Sequence, residues 1–560
     1  VIGLISATVA GAAARDRLAV AWPDRTRVYD GPVGEAVRRA FAECEQLVCF
    51  LATGAVVRLV APLLGDKASD PGVVCVDEGG RFAVSLVGGH AGGANALAAE
   101  VAGLLGAAPV VTTATDAVGI AGLDTLGLPV EGDVAGVSRA LLDGEPVVLD
   151  AEVAWPLPPV PFAGRGAYTV RLTDRAVEPA PREVLLRPPS LVVGVGASRG
   201  APAEEVLEVV EGALRDAGLS PRSVAEFATV DAKAEEPGIL EAAKRLGVPV
   251  VTYSAAALAA VEVPNPSDAP LAAVGTPSVA EAAALVGGGE LLVPKRKSAG
   301  VPATATCAVV RRPVRGRLAV VGLGPGARDL LTPRAEDELR RASVLVGLDQ
   351  YVDQIRDLLR PGTRILESGL GAEEERARTA VAEARKGHAV ALIGSGDAGV
   401  YAMASPALAE ASDDIDVVGV PGVTAALAAA ALLGAPLGHD HVSISLSDLH
   451  TPWEVIERRV RAAAEADLVV TFYNPRSRGR DWQLPKALAI LAEHREPSTP
   501  VGVVRNASRP DGTARISTLA GLDPATVDMM TVVTVGNTAT RNIAGRMVTP
   551  RGYRWQEEPA

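Results

Sequence analysis

The run VVGLGPGARDLLTPRA, Val320 to Ala335, constrains the fold more than any other stretch of this chain, because it joins a buried strand to a helix through a loop of bare backbone. Leu318 to Val321 read as the strand, and Thr332 followed by Pro333 reads as the cap and first residue of the next helix. Gly322, Gly324 and Ala327 between them fit the dinucleotide pattern GxGxx(G/A), while Gly394, Gly396 and Gly399 in IGSGDAGVY fit GxGxxG in full. Taken singly, either loop also reads as an ordinary strand-to-helix turn. The second loop argues against a dinucleotide. Asp397 stands inside the turn, where a pyrophosphate packed on backbone amides would meet a carboxylate. A cation or a hydroxyl suits that position. S-adenosylmethionine, with ribose hydroxyls, a sulfonium and a zwitterionic end, satisfies both loops without opposing like charges.

The remainder of the chain is long enough for several cores: 560 residues with a formal net charge of −13 and few aromatics predict an acidic, alanine-rich, multidomain α/β protein. No run of about 18 apolar residues is free of Gly, Pro and charge, so no membrane span is expected, and the expected location is the cytoplasm. The N-terminal VIGLISATVAGAAARD lacks a basic leader and reads as a first strand and loop. Cys44, Cys49, Cys75 and Cys307 have no CxxC spacing and the six histidines no ligand spacing, so no protein metal site is expected. Proline-rich stretches at Trp155 to Phe162 and Glu178 to Ser190, with the basic linker Arg311 to Arg317, punctuate the chain. Expected segments are 1–115, 116–190, 191–313, 314–436 and 437–560. Strands are expected near Ile2, Leu47, Val73, Phe82 and Leu191 to Val195, with helices from Ala94, Ala203, Gly238 and after Thr424.

VGLGPG, ESGLGAEEERARTA, GSGDAGVY, PGVTAALAAAALLGAPLGHD, SLSDLHTPWEVIERR, YNPRSRGRDWQLPKA, GVVRNASRPDG and VGNTATR follow one another through the last segment. In this order they resemble the tetrapyrrole methyltransferases of corrin synthesis, and residues 316–556 are most similar to the precorrin-3B C-17-methyltransferase family. The resemblance implies a two-lobed class III methyltransferase, distinct from the Rossmann type, with S-adenosylmethionine bent in the cleft between α/β lobes. Carried over by motif, the cofactor site comprises Leu323, Gly324, Pro325, Asp397, Val400, Thr424, Ala425, Tyr473, Asn474, Asn506, Ala507, Gly536, Asn537 and Thr538. Asp397 is expected to hold ribose or amino groups. Ser447, Asp448, His450 and Thr451 are expected to address the macrocycle, with Arg476 as a carboxylate-binding guanidinium and Arg478 and Arg480 as either further cations or a solvated loop.

The first 313 residues carry ATGAVVRLVAPLLGDKASDP, VCVDEGGRFAVSLVGGHAGGANALA, PVVTTATDA, GVGASRG, VPNPSD, VGTPSVAEAAAL and LLVPKRKSAGVPATATCAV, and resemble the cobalt-precorrin-5A hydrolase family throughout. That resemblance implies opening of a δ-lactone on the contracted macrocycle with release of acetaldehyde. Gly88, Gly89, Gly92 and Gly93 around His90 would let backbone approach a flat macrocycle or expose amides to an oxyanion, with Asn95 starting the next helix. His90 is the first candidate for general base, its alternative being a structural or helix-capping histidine. Lys67 and Asp70 are candidates for orienting a carboxylate or water, and Arg58 for holding an acidic side chain. Lys295, Arg296 and Lys297 form a basic knot; the chain's acidity argues against nucleic acid, and Lys295 and Lys297 are taken as candidates for binding substrate carboxylates.

The chain is therefore expected to be a bifunctional enzyme of cobalamin biosynthesis acting on small-molecule tetrapyrroles. Cobalt is expected only as part of the substrate, and a homodimer is expected to form through the methyltransferase part. Rival classes are a nicotinamide-dependent oxidoreductase using the glycine loops, and a corrinoid carrier with one inactive half.

Overall fold

Strands reading LAVV, VLV and AVAL carry apolar side chains at every position, so both faces of their sheet must be covered, and helices on either side of a parallel sheet achieve this. The computed structural model describes residues 1–66, 69–89, 92–113, 118–267, 271–272, 275–300, 302–477 and 479–553. It divides into two compact units, one of Val1–Trp155, Pro159–Val314 and Arg360–Gly362, the other of Pro156–Pro158, Arg315–Leu359 and Thr363–Ala560.

The first unit holds three sheets. The first has strand order Thr26–Val28, Ile2–Ser6, Gln46–Phe50, Gly72–Val76, Phe82–Val87, Ala108–Val110 and is parallel except between Gly72–Val76 and Phe82–Val87. Helix Ala94–Leu105 closes one face with Leu97, Ala98 and Val101. The third has order Val250–Tyr253, Val224–Val230, Leu191–Ala197, Ala305–Arg311, Glu290–Lys297, its last two strands joining antiparallel. Helices Ala203–Asp216 and Pro237–Leu246 pack on it through residues such as Val206, Val210 and Ile239. These elements follow the expected pattern. Between them lies a four-stranded sheet, Val130–Gly132, Glu183–Leu186, Tyr168–Leu172 and Val147–Ala151, in the segment whose prolines obscured its strands.

The second unit opens with an all-parallel sheet of order Arg364–Ser368, Val344–Leu348, Ala389–Gly394, Arg317–Gly322, Asp416–Val420. Thr332 caps helix Pro333–Arg341 by accepting the Ala335 amide, as its sequence predicts. After the buried alanine helix Ala425–Leu433 comes a second sheet of order His441–Ser445, Val469–Tyr473, Thr531–Val535, Pro500–Arg505, Thr513–Thr518, parallel only in its first pair.

One buried carboxylate ties the middle and third sheets of the first unit. Asp174, whose side chain is 1% exposed, accepts Nε and Nη2 of Arg311 at 2.7 and 2.9 Å and the Ser190 hydroxyl at 2.8 Å. Burial alone would push this carboxyl up, but the Arg311 and Ser190 bonds outweigh it and hold it below the ordinary carboxylate range. A depressed folded value means that the stabilisation is full above the unfolded value of about 4 and is lost as pH falls through the folded one. Asp174→Asn is expected to lower stability by about 3 kcal/mol at neutral pH, read as a drop in the thermal midpoint of the full chain, with the difference from the parent shrinking in acid. An unchanged midpoint at pH 7 would show that the pair does not hold the sheets together.

Candidate functional site

Strands Ala389–Gly394, Arg317–Gly322 and Asp416–Val420 are neighbours and parallel, so the loops leaving their carboxyl ends meet at one edge. Gly324 and Gly396 exchange backbone hydrogen bonds, Gly324 N to Gly396 O at 3.0 Å and Gly396 N to Gly324 O at 2.7 Å. The third loop is equally close: a Cβ on Gly422 would lie 2.1 Å from Gly396 O, so only glycine fits. Asp397 locks the arrangement. Its Oδ1 accepts the Gly399 amide at 2.8 Å and its Oδ2 the Gly422 amide at 3.0 Å.

The second sheet presents the ends of its strands to this edge. The Tyr473 hydroxyl accepts the Ala426 amide at 2.9 Å and lies 2.5 Å from Thr424 Oγ1, capping the helix that follows the third loop. Tyr401 donates to Ser443 O at 2.7 Å, and its ring lies 5.2 Å from that of Tyr473. Asn474 Nδ2 donates to Ser445 Oγ at 3.0 Å. Arg509 Nε donates to Pro325 O at 3.1 Å, fastening the turn after Pro500–Arg505 to the first glycine loop. In that turn Asn506 Nδ2 donates to Asp511 at 2.7 Å, and this bond, with Arg505 alongside, keeps the Asp511 carboxyl below its usual range. Asn506 Oδ1 is buried without a partner, in a residue 8% exposed. Such an orphaned acceptor costs free energy unless a ligand donates to it.

Backbone strain concentrates here. Of the non-glycine residues with positive φ among those described, Tyr401, Asn474, Asn506 and Ser508 all belong to this seam. Leu323, Gly324, Pro325, Asp397, Thr424, Ala425, Tyr473, Asn474, Asn506 and Ala507 are thus brought to one seam between two sheets, with Val400 in the Asp397 turn, its amide on Asp397 O at 3.2 Å. Gly536, Asn537 and Thr538 require a correction. Because Thr531–Val535 runs antiparallel to Val469–Tyr473, they lie at the opposite end of the sheet from Tyr473. There Thr538 bonds Asp467 through its amide at 3.0 Å and its hydroxyl at 2.6 Å, and Asn537 Nδ2 donates to Asp467 O at 3.2 Å. They brace a turn and do not join the seam. Sequence reasoning missed Tyr401, Ser445 and Arg509, though all three stand inside quoted motifs; an arginine three residues past Asn506 in RNASRPDG was the available signal.

The expected macrocycle residues are partly committed elsewhere. Asp448 Oδ2 accepts Gln483 Nε2 at 3.0 Å, the Ser447 amide donates to Ser445 Oγ at 3.3 Å, and His450 is exposed with Thr451 half-buried. Arg476 gives Nη1 to the carbonyls of Ala525 and Pro524 at 2.8 and 3.3 Å. Arg480 donates to Leu446 O and Asn474 O at 2.9 and 2.8 Å, and burial lowers its pKa against the pull of Asp448. It is a brace and not part of a solvated loop. Arg478 lies outside the described residues.

In the first unit, Lys67 and His90 also lie outside the described residues. Both Asp70 oxygens accept the Gly65 amide at 3.1 Å, which makes this carboxylate a loop clasp. Arg58 turns back to Gly54 O at 2.8 Å within its own helix. A Cβ on Gly72 would lie 2.2 Å from Gly92 O, so the glycines following Phe82–Val87 serve close backbone packing. The amides of Ala94 and Asn95 are spent on Gly88 O and Gly89 O, which removes them as oxyanion donors. The basic knot is split: Arg296 pairs with Asp216 at 2.7 Å, whereas Lys295 Nζ bonds Ser267 Oγ at 2.9 Å and Lys297 is exposed.

Residues 317–523 match the family described as Tetrapyrrole (Corrin/Porphyrin) Methylases, residues 35–116 the Cobalamin synthesis G N-terminal family and residues 191–310 the Cobalamin synthesis G C-terminus family. Over 239 residues, 42% of this chain and 99% of the relative, the chain is 46% identical to a probable cobalt-factor III C(17)-methyltransferase of Salmonella typhimurium. Over 250 residues, 42% of this chain and 97% of the relative, it is 41% identical to a precorrin-3B C(17)-methyltransferase of Sinorhizobium sp. Other relatives are longer, and the chain spans 46% of one and 48% of another. The crystal structure of the methyltransferase CobJ is 39% identical with a TM-score of 0.40, covering 42% of this chain and 100% of that one. The chain belongs to the tetrapyrrole methylases, joined in one polypeptide to both cobalamin synthesis G domains.

Proposed function

We propose that the second unit methylates C-17 of precorrin-3B, or of its cobalt-bearing counterpart cobalt-factor III, with contraction of the ring, and that the first unit opens the lactone of cobalt-precorrin-5A with loss of acetaldehyde. The observation that carries the first half is the Asp397 carboxylate on the amides of Gly399 and Gly422. Those amides are the ones a pyrophosphate would need, and an anion already fills them.

The seam suits S-adenosylmethionine. Asn506 Oδ1 is an unused buried acceptor for a donor such as an exocyclic amine. Asp397 has lone pairs beyond the two bonds it makes, which suit hydroxyls or an ammonium. When bound, this cofactor supplies an electrophilic methyl group. The protein's part is positioning: Tyr473 and Arg509 hold the two lobes in one register. Cobalt, where present, enters as substrate. For the first unit the family resemblance supports lactone opening, with His90 and Lys67 as candidates; Asp70 and Arg58 are engaged in local bonds.

Calorimetry on the full chain is expected to give binding of S-adenosylmethionine and of its demethylated product and none of NADH; the reverse pattern would overturn the assignment. Incubation with cobalt-factor III and the methyl donor is expected to yield a product heavier by one methyl group in mass spectra, and unchanged substrate would reject the methylation reading. Tyr473→Phe removes the acceptor for the Ala426 amide and is expected to weaken cofactor binding about tenfold while leaving the thermal midpoint within a few degrees. Undiminished affinity would show that the cap plays no part in holding the cofactor.

A further inference from the structure

The first unit contains a hydroxyl and an amine held within hydrogen-bond distance on its third sheet. Lys295 Nζ lies 2.9 Å from Ser267 Oγ. Lys295 belongs to edge strand Glu290–Lys297, and Ser267 to the VPNPSD segment 28 positions earlier. A single carboxylate ties the two segments together. Glu281, on helix Ala280–Leu285 and 0% exposed, accepts Asn265 Nδ2 and the Lys295 amide on Oε1 at 2.7 and 2.9 Å, and the Asn265 amide on Oε2 at 3.0 Å. The Ser267 amide donates to Pro277 O at 2.8 Å. The Glu281 oxygens therefore serve backbone and amide donors, and no carboxylate among the described residues forms an ion pair with Lys295 Nζ. Arg296, the next residue, is drawn to the other side by Asp216 and does not compete for the serine.

We propose that Ser267 and Lys295, in place of His90, are the nucleophile and general base of an ester-cleaving site, and, resting on the function proposed for the first unit, that its ester is the macrocyclic lactone. A serine is a weak nucleophile until a neighbouring base takes its proton, and an amine serves when it is partly withdrawn from water. Burial lowers the Lys295 pKa most, Glu281 raises it and Lys297 lowers it, with a net shift downward. In the reaction the Ser267 hydroxyl passes its proton to the Lys295 amine as its oxygen bonds to the lactone carbonyl carbon. Collapse breaks the ring carbon–oxygen bond, and the departing oxygen takes the proton from Lys295, leaving an ester on Ser267 and a hydroxyl on the macrocycle. Water then gives a proton to the same amine while its oxygen attacks the ester, and that proton returns to Ser267 as the free acid leaves. The net change is lactone plus water to hydroxy acid.

The test uses the full chain and the variants Ser267→Ala, Lys295→Met and Lys295→Arg, assayed for acetaldehyde release from cobalt-precorrin-5A and for release of p-nitrophenol from p-nitrophenyl acetate. All three are expected to lose both activities by at least about a hundredfold, with C-17 methylation and thermal midpoint unchanged. Lys295→Arg, which keeps the charge but cannot act as a base near neutrality, separates proton transfer from carboxylate binding. Quenched wild-type protein is expected to carry an adduct of the whole substrate mass, since ring opening expels no fragment at that step, and Ser267→Ala none. Wild-type rates in Ser267→Ala would overturn the pair. Hydrolysis of the simple ester by the parent without acetaldehyde release would keep the pair and remove the lactone as its substrate, and a parent inert to both would overturn both.

Discussion

Close contact between glycine backbones, locked by one carboxylate, is the constraint on which the methylase unit depends. Gly324, Gly396 and Gly422 sit on three separate loops, and any Cβ at Gly422 would overlap Gly396 O. Loops this tight leave unpaired amides, and Asp397 answers two of them. The same carboxylate thus explains why the three strand ends can converge.

Much of this was legible in the sequence because it resides in local chemistry. Thr332 before Pro333 gives a capped helix, continuous apolar runs give buried parallel strands, and the glycine spacing gives loops of bare backbone. What was not legible depends on direction and register. Gly536 to Thr538 look like another glycine-bearing site motif, but an antiparallel strand places them at the far end of the sheet, with Asp467. Likewise, three successive cations in Lys295 to Lys297 look like one patch until side-chain alternation along the strand sends Arg296 to Asp216 and Lys295 to Ser267. The four-stranded middle sheet was hidden for a different reason: its strands are short, and the prolines between them read as linker.

Buried carboxylates organise the first unit as glycine contacts organise the second. Asp174 joins strands from two sheets through Arg311, and Glu281 joins a loop and an edge strand through backbone amides. Both are fully enclosed, and each accepts three hydrogen bonds, so the cost of burying the charge is offset by paired donors. Such groups specify geometry more than they add stability, because the alternatives leave an unpaired charge in the interior. It is therefore in keeping with their role that one of them ties the segment before Ser267 to the strand that carries Lys295.

A chain with a net charge of −13 that acts on carboxylate-rich tetrapyrroles must reverse its own field locally, and the obvious cations are already committed. Arg476 and Arg480 spend donors on main-chain carbonyls, Arg58 turns back on its helix, and Arg296 is neutralised by Asp216. Guanidinium groups used this way hold loops in place, since their planar donors satisfy several carbonyls at once. Substrate carboxylates are then left to cations that form no ion pair among the described residues, and one of these, exposed Lys297, stands on the strand that carries Lys295. On that strand, the charge that attracts an acidic substrate and the base that would cleave it are placed within a few residues of each other.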